Sequence, residues 1–370
     1  PIFGMARGRK DEERALQIQG TVFALLLGSS LALTALCYLL KRPLLFLFGA
    51  SEDSFVFADA YLKIYLLGTP FTMLATGMNP FINAQGRPKI GMMTTVIGAV
   101  LNLVLDPLFI YGFNMGVTGA AVATVISQAV SCIWVLRFLS GPKSILPLRR
   151  REARIYPYLL KDILSLGVVG FIMKFTNSLV QIACNKMLSI HGGDLYVGVM
   201  TVINAIRDVF TLPASGITEG ARPVLSYNYG AEQYGRCRGI LWRLMGAEFA
   251  LGVLALLVTQ LFPRQLIGLF GAESALYNEF AVLTFRVYLC MLPLATVNKA
   301  AFIFMQALGR PVESAGLSFF REVLLAVPLV LLLPRAFGLM GVLYSMPAAD
   351  ILTFFASCFV LLRTDRQLRK

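Results

Sequence analysis

Asn102 and Asp106 stand four residues apart in an apolar run that opens after Gln85-Gly86-Arg87-Pro88-Lys89. The run is about twenty residues long, enough to cross a bilayer core. The spacing puts both side chains on one helix face. A Gly-rich link (Gly112, Gly116, Gly119) returns the chain through a second apolar run that carries Thr124. An ionised Asp near mid-bilayer costs about 3 kcal/mol on insertion scales, so such an acid is a functional candidate by default. Carboxylate, amide and hydroxyl oxygens suit a hard cation, which makes Asp106, Asn102 and Thr124 a candidate Na⁺ site. A carboxyl in an apolar pocket can equally carry a proton. The competing reading of Asp106 is an Asp-Pro helix break, with the carboxylate capping a kink at Pro107. For Asn102 and Thr124 it is hydrogen bonding across helices.

The elements that would position these residues follow from composition. Apolar residues make up 57% of the 370 and charged residues only 14%, with a mean hydropathy of +0.72, outside the soluble range. Ten apolar runs stand out, at 20–40, 58–83, 90–112, 116–139, 160–188, 195–220, 240–262, 280–306, 313–334 and 338–362. They are continuous rather than alternating, which excludes a β-barrel. The expected class is an all-α polytopic membrane protein of about ten transmembrane helices.

A net charge of +13 would point to nucleic acid in a soluble chain, but here it must be judged by location. Arg7, Arg9, Lys10, Arg14, Arg87, Lys89, the stretch from Arg137 to Lys161, Arg222, Arg236, Arg238, Arg243, Arg310 and the C-terminal Arg363 to Lys370 fall on one set of loops. The alternate loops hold only Lys41, Arg42, Arg264 and Arg335, with Glu52, Asp53, Asp194 and Glu273. The positive-inside rule then places both termini in the cytoplasm of a multi-pass plasma-membrane protein and leaves no need for a nucleic-acid partner. The six cysteines are scattered singly, so neither a disulfide framework nor a zinc site is indicated. His191 reads as a solvated loop residue.

The chain repeats itself. Gly86-Arg87-Pro88 recurs as Gly309-Arg310-Pro311, Phe48-Gly49-Ala50 as Phe270-Gly271-Ala272, Tyr65 and Pro70 as Tyr288 and Pro293, and Gly119 as Gly341. The offset is nearly constant and the halves enter the membrane from the same side, so they are parallel repeats. The second half has two further spans, 160–188 and 195–220, before the position matching Pro1. The expected parent is therefore two six-helix bundles, with the first two helices absent from this chain. The domains are then 1–142, a four-span N-terminal bundle, and 143–370, a six-span C-terminal bundle, with a hinge around Gly141 to Arg154. Under the repeat, Leu324 faces Asn102 and Val327 faces Asp106, yet a proline is kept at 328. A kink alone therefore does not require the acid.

Asn79, Gln85-Gly86-Arg87-Pro88, the run from Leu101-Asn102 through Asp106-Pro107 to Ile110, and Gly116-Val117-Thr118-Gly119-Ala120-Ala121 closely resemble the multidrug and toxic compound extrusion (MATE) transporters. Asn228-Tyr229-Gly230-Ala231 and Gln306-Ala307-Leu308-Gly309 fit the same family, and the resemblance covers nearly the whole chain. It implies a cation site in the N-terminal bundle built from an Asn and an Asp on the fifth helix and a Thr on the sixth, matched by Asn102, Asp106 and Thr124. It also implies an Asp on the first helix, which has no counterpart here.

The implied function is secondary active export. Amphipathic, cationic organic compounds leave against H⁺ or Na⁺ by alternating access between two bundles, in a monomer with no cofactor beyond the coupling ion. Among the other intramembrane charges, Lys174, Arg207, Asp208 and Asp350 fall near mid-span in the second bundle and are expected at an aqueous cavity or in pairs. Lys186, Glu219 and Lys299 are expected to snorkel. Two alternatives remain. One is a flippase for lipid-linked precursors, whose cations (Lys174, Arg207, Arg286) would meet pyrophosphate; the other is a non-functional fragment of an exporter. An enzyme is disfavoured, since the chain has one His and no HExxH or paired intramembrane Asp.

Overall fold

A computed structural model of the chain describes residues 1–47, 52–149, 151–270 and 274–369. Arg150 and the repeated Phe48-Gly49-Ala50 and Gly271-Ala272 motifs fall wholly or mainly outside them. The described residues are built from helices: α1 (Ile2–Gly8), α2 (Glu12–Leu39), α3 (Lys41–Leu47), α4 (Glu52–Ala84), α5 (Pro88–Pro107), a π-helical turn (Leu108–Gly112) and α6 (Gly116–Ser140). There follow α7 (Pro157–Gly192), α8 (Asp194–Gly230), α9 (Tyr234–Leu261), α10 (Pro263–Gly268), α11 (Ala275–Tyr288), α12 (Leu292–Ala307), α13 (Pro311–Phe319), a second π-helical segment (Phe320–Ala326), α14 (Val327–Phe337) and α15 (Leu339–Gln367).

The protein is an all-α polytopic membrane protein, and every one of the ten apolar runs falls on helix. Among the described residues eight helical segments are long and apolar enough to span a bilayer, or nine if α11 and α12, bent by 53° at their junction, count as one span. The expected tenth span is α4. It is 33 residues long but is not among those helices, because Asp59, Lys63, Gly68, Pro70, Asn79 and Pro80 dilute its apolar run. His191, expected in a loop, instead closes α7, where a ring nitrogen meets Met187 O at 3.0 Å.

Two compact units divide the chain, Ile2–Ile163 and Leu164–Lys370, the latter together with Pro1. The division lies beyond the 142/143 boundary read from sequence, because the intervening link packs on the first unit. Gln85 Oε1 accepts from Ser144 Oγ at 2.9 Å and from the Ile145 amide at 2.8 Å. Leu146 and Leu159 join Ala15, Met78, Ile82 and Leu139 in that unit's core. In the second unit one core gathers Leu188, Met200, Phe285 and Leu343, and another Leu241, Ala301, Phe304 and Met305.

The sequence repeat becomes repeated backbone. Gly86 and Gly309 take φ of +79° and +71° in tight turns that deliver Pro88 and Pro311 to the first turn of α5 and α13, where a missing amide is harmless. Gly116 and Gly338 share a φ of +54°, a region that residues with a Cβ avoid. One turn on, a Cβ at Gly119 would lie 2.8 Å from the Phe109 carbonyl, and one at Gly341 would press closer still on that of Leu333. Each returning helix is thus seated directly against the backbone of the one before it.

Candidate functional site

Asn102, Asp106 and Thr124 come together in the first unit. α5 carries Asn102 one turn before Asp106, and α6 packs against α5 to bring Thr124 alongside. Asn102 Nδ2 lies 3.1 Å from Asp106 Oδ1 and 3.4 Å from Thr124 Oγ1. Thr124 Oγ1 donates to Ala120 O at 2.9 Å, which leaves its lone pairs toward Asn102. Pro107 supplies no amide, so α5 cannot continue its regular bonding past Asp106, and the π-helical turn follows at once. Among the described residues, Asp106 forms no ion pair.

A cavity of about 310 Å³ within the first unit is lined by two of the three, Asn102 and Thr124. Its wall is uncharged and mostly apolar, with polar groups contributed by Thr72, Thr94, Asn102, Thr124, Ser127 and Gln128 and with the small residues Gly98 and Ala99 among its lining. Asn79 Oδ1 accepts from Thr94 Oγ1 at 3.0 Å, and Ser131 Oγ donates to Thr94 O at 3.0 Å. Gln128 Oε1 is buried with no hydrogen-bond partner among the described residues. A buried acceptor without a donor carries a desolvation penalty of about 1–3 kcal/mol, which a bound donor or cation would relieve. Apart from Asn79, singled out as part of a motif, and the candidates Asn102 and Thr124, these lining residues are uncharged and of common types, so sequence reasoning passed over them.

The four second-unit candidates do not form one cluster. Asp350 is buried, and Arg321 Nε donates to its Oδ1 at 2.7 Å. The same guanidinium pairs with Glu322, its neighbour in the second π-helical segment. Asn298 Nδ2 reaches the Asp350 carbonyl at 3.0 Å. Of the two alternatives, a cavity residue or a paired charge, Asp350 is therefore paired. Arg207 lies 3.8 Å from exposed Asp208, and Lys174 is exposed on α7. Lys299, expected to snorkel, donates to Ser215 Oγ at 2.9 Å.

One intramembrane acid escaped the sequence reading. Glu248 stands midway along α9 and is 1% exposed. Its signal was present, an acid inside the 240–262 run, but the surrounding Gly-Ala-Glu-Phe-Ala offers no spaced polar partner to draw attention to it.

The family model described as MatE matches residues 1–108 and 171–332. The chain belongs to the MatE family. Multidrug export protein MepA of Staphylococcus aureus (strain N315) is 24% identical over 316 residues, covering 85% of this chain and 68% of that protein. MepA of Staphylococcus saprophyticus is likewise 24% identical, over 318 residues, covering 85% of this chain and 69% of its own length. Among solved structures, the MATE multidrug transporter DinF-BH is 34% identical with a TM-score of 0.90, covering 99% of this chain and 82% of that one. A MATE crystallised in the bent conformation, 21% identical with a TM-score of 0.93 over 99% of this chain and 82% of that one, shares the fold.

Proposed function

We propose that this MatE-family chain is a secondary active multidrug exporter, exchanging amphipathic, cationic organic compounds for H⁺ or Na⁺ by alternating access. The observation that carries the reading is an intramembrane carboxyl, Asp106, held by an amide and placed near a hydroxyl, with no ion-pair partner among the described residues. Its neighbours Asn102 and Thr124 line a cavity whose donors and acceptors are uncharged. Oxygen ligands of this kind suit Na⁺, and the same carboxyl can carry H⁺. The multidrug relatives support the substrate class.

In the cycle, the ion enters at Asp106 from outside and favours substrate release; inside, the ion leaves and substrate binds. Competition of this kind is a coupling free energy and is reciprocal. One charge falling through 100 mV yields about 2.3 kcal/mol, enough for accumulation on the order of fifty-fold at about 1.4 kcal/mol per tenfold. One monovalent drug leaving per cation entering is electroneutral, and only the ion's concentration gradient then does work. Both termini face the cytoplasm in this reading. Ethidium efflux from cells expressing the protein tests it: Asp106→Asn is expected to abolish ion-driven efflux, and a variant pumping at full rate removes Asp106 from the coupling role.

A flippase for lipid-linked precursors is the second reading, with Lys174, exposed on α7, and Arg207 of α8 as the cations that would meet pyrophosphate. Translocation of a fluorescent lipid-linked pyrophosphate, with no ethidium efflux, would select it.

A further inference from the structure

Glu248 is the acid in the described second unit with neither an ion pair nor an exposed position. Thr218 Oγ1, from α8, donates to its Oε1 at 2.5 Å. Thr296 Oγ1, from α12, donates to its backbone carbonyl at 2.9 Å, so that hydroxyl does nothing for the carboxyl. Other acids of this unit are neutralised directly: Asp350 and Glu322 by Arg321, Asp365 by Arg238 and Arg369, and Glu219 by Arg222. An ionised carboxylate in an apolar interior with one hydroxyl partner is costly by several kcal/mol, whereas the neutral acid is not.

Lys299 follows Thr296 by three residues on α12 and donates to Ser215, which precedes Thr218 by three on α8, so it stands one turn from both residues that touch Glu248 but spends its hydrogen bond on Ser215. α8 also carries Arg207, 3.8 Å from Asp208, and Arg222, 2.9 Å from Glu219, and α7 carries the exposed Lys174. α10 and α11 also touch α9, and their Arg264, Glu279 and Arg286 are exposed. The arrangement is a carboxyl with a counter-charge nearby, held off by a second polar partner.

We infer that Glu248 is a second ion-binding site of the transport cycle, one that takes up and releases a proton, with Lys299 as its alternating counter-charge. With the proton on, the acid rests against Thr218 and Lys299 against Ser215. When the acid gives its proton to water, Lys299 turns from Ser215 to the carboxylate, and the pair falls from one positive charge to none. The site shares no residue with Asp106 and stands whether H⁺ or Na⁺ binds there.

Infrared difference spectroscopy on the purified protein in lipid nanodiscs, between acid and alkaline pH, tests this without a substrate. The parent protein is expected to show a carboxylic C=O band that shifts in D₂O and disappears as pH rises. Glu248→Gln should lack that band, Asp106→Asn should keep it, and Lys299→Gln should hold it to more alkaline pH. In vesicles, Glu248→Gln should reduce pH-driven ethidium efflux to background while leaving gradient-free ethidium exchange intact. A Glu248→Gln protein matching the parent in band or in pH-driven efflux overturns the inference. If Glu248→Gln does not fold, Lys299→Gln decides: an unchanged pH course of the band overturns it. An Asp106→Asn protein that pumps at full rate removes the first-unit reading and leaves this one standing.

Discussion

The hairpins at 88–140 and 311–367 share one backbone plan and solve the problem of buried polarity in opposite ways. Both begin on a Gly-Arg-Pro turn, both contain a π-helical segment, and both seat a glycine on the preceding helix. Counted from the matching Gly119 and Gly341, Gln128 in α6 stands where Asp350 stands in α15. Asp350 meets Arg321 and is satisfied. Gln128 lines a cavity alongside Gly98 and Ala99, and its carbonyl oxygen has no partner among the described residues. The same scaffold thus carries a fixed ion pair in one unit and an uncharged chamber with scattered polar groups in the other. An interior group that already has its counter-charge stabilises, whereas one without it is available to a ligand.

Breaking this contrast should produce effects of graded size. Asp106→Asn is expected to reduce ethidium efflux to background with little change in melting temperature, since no ion pair is lost. Arg321→Met should do the reverse to stability. It strands two buried carboxylates, and breaking a buried pair costs about 3–5 kcal/mol, read as a lowered Tm of the purified protein. Gly341→Ala forces a methyl group against the Leu333 backbone and should cost about 1–3 kcal/mol, with Gly119→Ala milder because its contact is longer. Thr124→Val removes one hydroxyl from the Asn102 network. At about 0.5–1.5 kcal/mol per hydrogen bond, it should weaken the coupling ion several-fold, seen as a shifted ion dependence of efflux.

Much of this was legible in the chain itself. The spans follow from continuous apolar runs, and the repeat from punctuation such as Gly86/Gly309 and Gly119/Gly341, which is tied to backbone shape and so survives side-chain change. Asn102 and Asp106 could be read because four-residue spacing fixes a shared helix face. Thr124 could be placed on the returning helix, but its distance from Asn102 could not. The pairing of Arg321 with Asp350 joins residues on different helices, and no periodicity encodes such a match. Gln85 looked like part of a turn, and its hold on the link at Ser144 and Ile145 rests on a carbonyl whose direction only the fold determines. Glu248 could have been found by applying to it the insertion cost already applied to Asp106.

The contacts at Gly119 and Gly341 have an evolutionary corollary. A joint made of main chain against main chain offers no side chain for selection to adjust, so these two positions admit almost no variation. Under the proposed export function, changes in what the protein carries are expected on the chamber walls, at uncharged residues such as Ala99 and Gln128, where a single substitution alters size or polarity without loosening the joint. Variants selected on new toxic compounds should therefore accumulate there and leave both glycines untouched.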